Sequence, residues 1–234
     1  MRLFHCFIAA MLFVGMTIPA PAQEVVVTAT RSAQNREGFL GTSIPIITLK
    51  RTADFAVQRV AITGDTRDQA LRRKEIYAMV KSAIDLAQRN GVELATGDYV
   101  VEPLTTGNYG NLTLVTDRRP DSERTSFIIK AKLEPGMDAK AALERISKFI
   151  KAVPPTGRAQ METVGDLTLS VLNPDQYRQQ IIQMIATDAA ATSARFGPEY
   201  GVEVRGLDRP VEWSRASLTE VFLYLPAAYV IRPK

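Results

Sequence analysis

Residues 168–207 read TLSVLNPDQYRQQIIQMIATDAAATSARFGPEYGVEVRGL, and the parsing of this stretch decides the fold. It reads as strand, capped helix, glycine, strand. Asn173 is a helix-capping residue type. Pro174 follows at the first helical position, where its missing N–H leaves no bond unmade. Ile182, Ile185, Ala189 and Phe196 recur at helical spacing and mark one buried face. Gly197-Pro198 ends the helix, and Val202 and Val204 restart a period of two.

A related unit lies upstream at residues 65–94, DTRDQALRRKEIYAMVKSAIDLAQRNGVEL. Both units carry Asp-Gln near the first turn (Asp68-Gln69 and Asp175-Gln176) and Gly-Val-Glu after the helix. Thr66 and Gln69 have the spacing of a capping box. Ile76, Val80, Ala83, Ile84 and Ala87 form the buried stripe, while Arg72, Arg73, Lys81 and Asp85 lie mostly away from it. Asn90-Gly91 is a helix stop.

The remaining chain fills in around these units. Residues 44–49 and 55–63 read as strands, the first an edge because of Pro45. Residues 92–104 read as one strand, with Tyr99, Val101 and Pro103 alternating against Val100 and Glu102. Residues 105–124 are irregular and read as a hairpin with a long loop around GNYGN at 107–111. Residues 126–133, SFIIKAKL, place Phe127, Ile129, Ala131 and Leu133 on one side. Asp138 caps a helix whose apolar positions are Ala142, Ile146, Phe149, Ile150 and Val153, and Pro154-Pro155 stops it. Residues 161–171 are a strand interrupted at Gly165-Asp166, and Trp213 sits in a further strand or edge segment. The tail TEVFLYLPAAYVI at 219–231 reads as a core strand broken by Pro226, with a partner-seeking edge as its alternative. The result is an α+β fold of repeated strand–helix–strand units, with helices packed on a mainly antiparallel sheet. The helices at 66–90 and 174–196 are expected on the same face.

Composition bounds the function. Arg2, an apolar run at 7–18 and Ala20-Pro21-Ala22 describe a secretory signal peptide at residues 1–22, the apolar run being too short to span a membrane as a helix. Residues 23–53 then form an N-terminal arm, linker and edge strand, and residues 54–234 one α+β domain. His5 and Cys6 are the only histidine and cysteine of the 234 residues, and both would leave with the signal. A mature chain without thiol or imidazole has no disulfide, no cysteine nucleophile, no Cys/His zinc site and no Ser-His-Asp arrangement. The formal net charge is +4, or about +3 once Arg2 is removed, and both signs are spread along the chain. No nucleic-acid-binding motif is present. Arg72-Arg73-Lys74 and Arg118-Arg119 are the densest basic spots and read as solvated faces, as do Arg124 and Lys130.

Two resemblances carry further expectations. EVVVTATR at 24–31 resembles the TonB box that begins many outer-membrane receptors, which implies an envelope protein partner bound by strand addition. A receptor would also need a barrel for which this chain is too short. Residues 54–213 resemble the SIMPL domain family of exported bacterial proteins, known also through the periplasmic immunogenic protein. The resemblance rests on AVQRVAITGDTRDQALRRKEIYAMVKSAI, on GVELATGDYVVEPL, and on the alanine-rich third helix with Ala186, Ala189, Ala190 and Ala194 before Gly201-Val202. Ser126-Phe127 stands where the family often has Gly-Tyr. The resemblance implies a periplasmic α+β domain, often oligomeric, with no catalytic residues to carry over.

No P-loop, dinucleotide fingerprint or nucleophile elbow occurs. The reading is therefore a non-catalytic periplasmic SIMPL-like protein with a structural, protective or assembly role. No catalytic, cofactor-binding or metal-binding residue is nominated, and a homo-oligomer is expected. The alternative is a small-ligand or peptide binding module, which convergent polar groups in a pocket would favour over a flat apolar edge. The export reading is checked directly: N-terminal sequencing of protein from the periplasm should begin near Gln23, and thiol reagents should label nothing. Recovery of Cys6 in the mature chain would end that reading.

Overall fold

The computed structural model describes the main chain of residues 24–27 and residues 45–97, 101–117 and 119–234. The signal reading at 1–22, residues 28–31 of the TonB-box-like segment, and Arg118 lie outside them. The fold is α+β, with three α-helices and several mainly antiparallel sheets among the described residues.

The largest sheet is built on β3 (Phe55–Gly64), which is flanked by β7 (Glu123–Lys132) and β8 (Gln160–Leu172), both antiparallel. Being paired on both sides and covered on both faces, β3 has lost the half-polar alternation of a surface strand. Val60 and Ile62 are fully buried under the helices, and Phe55 and Val57 sit in a smaller apolar cluster with Ala95 and Ile128. The interruption at Gly165 is a bulge. The register jumps between Val57 and Arg59, and the Gln58 amide fills the gap by donating to Val164 O and Gly165 O, both at 3.2 Å.

Beyond β7 come β4 (Glu93–Thr96) and β5 (Glu102–Pro103), with β6 (Val115–Thr116) paired to the start of β7. The single strand expected over 92–104 is thus two short strands, because the chain turns back and pairs Ala95 with Pro103. At the opposite edge β1 (Glu24–Val27) pairs antiparallel with β8, from Glu24 against Leu172 to Val27 against Leu169.

Helix α1 (Gln69–Ala87) packs on β3, β7 and β4, burying Ile76, Met79, Val80 and Ala83. Its cap is Asp68, whose carboxylate accepts from Leu71 N at 2.7 Å. Thr66 does not cap; its hydroxyl donates to Glu75. A 3₁₀ turn at Gln88–Asn90 leads to Gly91 at φ 65°, the left-handed stop expected there. Helix α2 (Ala139–Ala152), capped by Asp138, lays Ala142, Ile146 and Phe149 on the same sheet.

The second unit departs from the first. Asn173 adopts φ 42° with no side-chain cap, Pro174 opens a 3₁₀ turn (Pro174–Tyr177), and α3 (Arg178–Phe196) begins only after it. Its buried stripe is Ile181, Ile185 and Ala189; Ile182 is half-buried and Phe196 is exposed beside Tyr200. The shift by one residue follows from the later helix start. Helix α3 lies along β9 (Tyr200–Arg205), which pairs with β12 (Ala228–Pro233) in a separate two-stranded sheet. The two helices therefore do not share one sheet.

A three-stranded sheet completes the core. Its central strand β11 (Glu220–Tyr224) is flanked by β10 (Glu212–Arg215) and β2 (Leu49–Thr52). The strand expected at 44–49 thus lies a few residues later, in β2; Ile44 is outside the described residues. Val221, Leu223 and Leu225 are fully buried. The first half of the apolar tail is interior here and β11 offers no free edge, whereas residues 228–231, in β12, are half-buried or exposed and paired on one side only.

Candidate functional site

At the end of the large sheet where β3 stops and β7 and β8 begin, charged residues from four segments meet. Beneath the surface lies Glu123, the first residue of β7, buried with Arg72 of α1. Arg72 Nε donates to Glu123 Oε2 at 2.9 Å and its Nη1 to Thr66 O at 2.7 Å. Arg73 reaches Glu123 from the solvent side, with Nη2 on Oε1 at 2.7 Å. Hydrogen bonds from Arg73, with those from Arg72 behind them, hold the Glu123 carboxyl below the usual glutamate range. Two of the basic residues read as a solvated run are thus partners of one buried carboxylate: Arg72 is buried, while Arg73 and Lys74 keep to the exposed face.

Above this pair opens a cleft of about 580 Å³. Its centre is Asp65, on the link between β3 and α1. Arg158 grips Asp65 with two bonds, Nε to Oδ1 at 2.6 Å and Nη2 to Oδ2 at 3.0 Å, and Arg119 adds Nη2 to Oδ2 at 2.9 Å. The Arg158 guanidinium, assisted by Arg119, lowers the Asp65 carboxyl below its ordinary range. Both arginine side chains remain about two-thirds exposed, at 67% and 65%. Each keeps N–H donors beyond those given to Asp65. Ser122 and Gln160 line the cleft as well, and the buried hydroxyl of Thr63, another lining residue, has no partner among the described residues.

The loops carrying the arginines are fixed locally. Arg119 opens a tight turn closed by Ser122 N donating to Arg119 O at 3.0 Å. Arg158 sits in a turn closed by Ala159 N on Thr156 O at 2.9 Å, and Glu75 of α1 anchors that turn by accepting from Arg158 N at 3.2 Å. The Glu75 carboxylate lies where a side chain at Gly157 would be, and Gly157 has φ 57°. Glycine takes this left-handed conformation without strain and leaves the Glu75 carboxylate in place.

The other basic residues read as surface charges divide. Arg124 pairs with Asp117 at 3.6 Å and is half exposed. Lys130 is buried, its Nζ 4.0 Å from the centre of the Phe55 ring and 3.2 Å from Glu93 Oε2.

No family model, curated protein or solved structure matches this chain. The cleft therefore rests on its own chemistry: two oriented guanidiniums, hydroxyls, the carboxylate of Asp65 between the arginines, and the carboxylates of Asp117 and Glu162 in the lining. Among the described residues no group of three or more metal-ligating side chains gathers. The sequence did not single out Asp65, Arg119 or Arg158 as a set, because they lie in three separate turns.

Glu123 has a depressed folded-state pKa, so its contribution to stability is present above the ordinary glutamate range and is lost as pH falls through the folded value. Glu123→Gln leaves Arg72 buried without its counter-charge and should cost about 3 kcal/mol in denaturant unfolding at neutral pH. The variant's stability should also fall less steeply on acidification than the wild type's. Lys81→Gln, which breaks an exposed pair with Asp85, serves as the control and should leave the melting temperature unchanged.

Proposed function

We propose that this chain is a non-catalytic, exported binding module of the bacterial envelope that takes an anionic small ligand in the Asp65–Arg119–Arg158 cleft. The observation that carries the reading is the pair of guanidiniums oriented on one carboxylate while both stay accessible. Planar guanidinium forks suit carboxylate and phosphate oxygens, and pre-orientation lowers the entropy lost on binding. The volume of the cleft falls within the range of small-molecule sites. Periplasmic location and a SIMPL-like domain belong to this reading on the strength of the leader and the sequence motifs.

A second reading, self-association in an assembly role, is favoured by the outer side of α3. Ala186, Ala190, Ala191 and Ala194 are exposed there, and Phe196 and Tyr200 stand exposed at its end. Small side chains let a second backbone approach closely, and a closed pair would cover the aromatic residues. Light scattering at micromolar concentration should then give a mass above that of one chain, and Ala190→Glu should lower it. A monomeric mass that is constant on dilution removes this reading and leaves the first intact.

For the anion site, calorimetric titration with inorganic phosphate and with succinate should show saturable binding to at least one of them. Arg158→Gln and Arg119→Gln should each weaken it roughly tenfold, as loss of a charged hydrogen bond implies. Raised salt should weaken it as well. Absence of binding by both anions at millimolar concentration would refute the proposal.

A further inference from the structure

A second cavity, of about 460 Å³, lies between α3, β12 and the residues before β2, and shares no lining residue with the cleft. Its walls are apolar. Ile185 and Leu225 are buried at 1% and 0%, and Ile47 and the ring of Tyr229 flank them. At the rim Ile46 is 98% exposed, a branched aliphatic side chain that contributes nothing to the protein's own packing. The apolar surface continues along α3 into a shallower depression of about 390 Å³ that passes Met184 and Ala191.

One charged side chain lines both hollows: Asp188, half-buried on α3. Among the described residues no lysine or arginine pairs with it. Nor does the nearby phenol neutralise it. Tyr229 donates its O–H to Ile185 O at 3.2 Å, and burial, with the Asp188 charge and a side-chain hydrogen bond to Asp188, raises the phenol pKa, so the phenol offers Asp188 a hydrogen bond but no counter-charge. A carboxylate set against apolar walls loses water contacts without gaining a counter-charge. A ligand able to satisfy both features has an apolar body and one positive end.

We propose that this cavity binds an amphipathic organic cation, with its ammonium group on Asp188 and its apolar body against Ile46, Ile47, Ile185 and Leu225. The site is independent of the anion cleft and would stand if that reading failed. Electrostatics sets its selectivity: a neutral analogue of the same shape keeps the apolar contacts only, and an anionic one meets repulsion from Asp188.

The test uses the mature protein and three probes of matched shape: phenylbutylamine, phenylbutanol and phenylbutyrate, each titrated calorimetrically. The amine should bind most tightly and the carboxylate least. Asp188→Asn should weaken the amine roughly tenfold, the loss of a charged hydrogen bond, and leave the alcohol unchanged. Ile46→Ser, at a position exposed enough to spare the fold, should weaken amine and alcohol alike. Binding of none of the three probes would overturn the proposal. So would equal binding of amine and alcohol with Asp188→Asn silent, or amine binding that neither variant alters.

Discussion

An arginine can be buried only where its charge and its N–H groups are matched, and in this protein that condition is met by Glu123 and the carbonyl of Thr66. Arg72 belongs to the first helix and Glu123 to the strand beside the central one, so the pair sets where α1 starts relative to β7. The rest of the sheet end is built on this placement. Asp65 and Thr66 lie in the short link that Arg72 holds from below. Glu75, one turn further along the helix, comes to lie under the turn that carries Arg158. A polar constellation at the surface thus inherits its geometry from a charge pair beneath it.

Much of the architecture could be read from side-chain periodicity. The helix faces built on Ile76, Val80 and Ala83, and on Ala142, Ile146 and Phe149, are local patterns, and local patterns survive folding. So do the stops at Gly91 and at Pro154-Pro155. What periodicity could not show is which neighbour a strand finds. Two units with the same Asp-Gln and Gly-Val-Glu marks end in different sheets, because β9 pairs with β12 from the far end of the chain. The same limit hid the cleft. Arg72 and Arg73 look like one basic run until Glu123 approaches, and that contact joins residues about fifty positions apart. Lys130 looked exposed by type, and the Phe55 ring and Glu93 meet it only once the strands are paired.

The two hollows have opposite chemistry, and they arise from different parts of the fold. The polar one sits where three strands of the large sheet start or stop, so turns carrying arginine and aspartate converge there. The apolar one lies beside α3, between the helix, β12 and the residues before β2, a pair of strands being too narrow to cover the helix fully. Its lining is what remains of a core that was not closed.

The pairing pattern also bears on the order in which the chain can acquire structure. Strand β3 takes its partners from β7 and β8, β1 waits for residues 169–172, and β2 is held by β11, almost at the end of the sequence. The pairings that close these sheets are therefore distant in sequence, which makes them slow to form. The amino-terminal half emerging from a ribosome would find none of the strands that seal it. Until those strands arrive, the apolar faces of β2 and β3 lack their partners, which exposes the nascent polypeptide to aggregation.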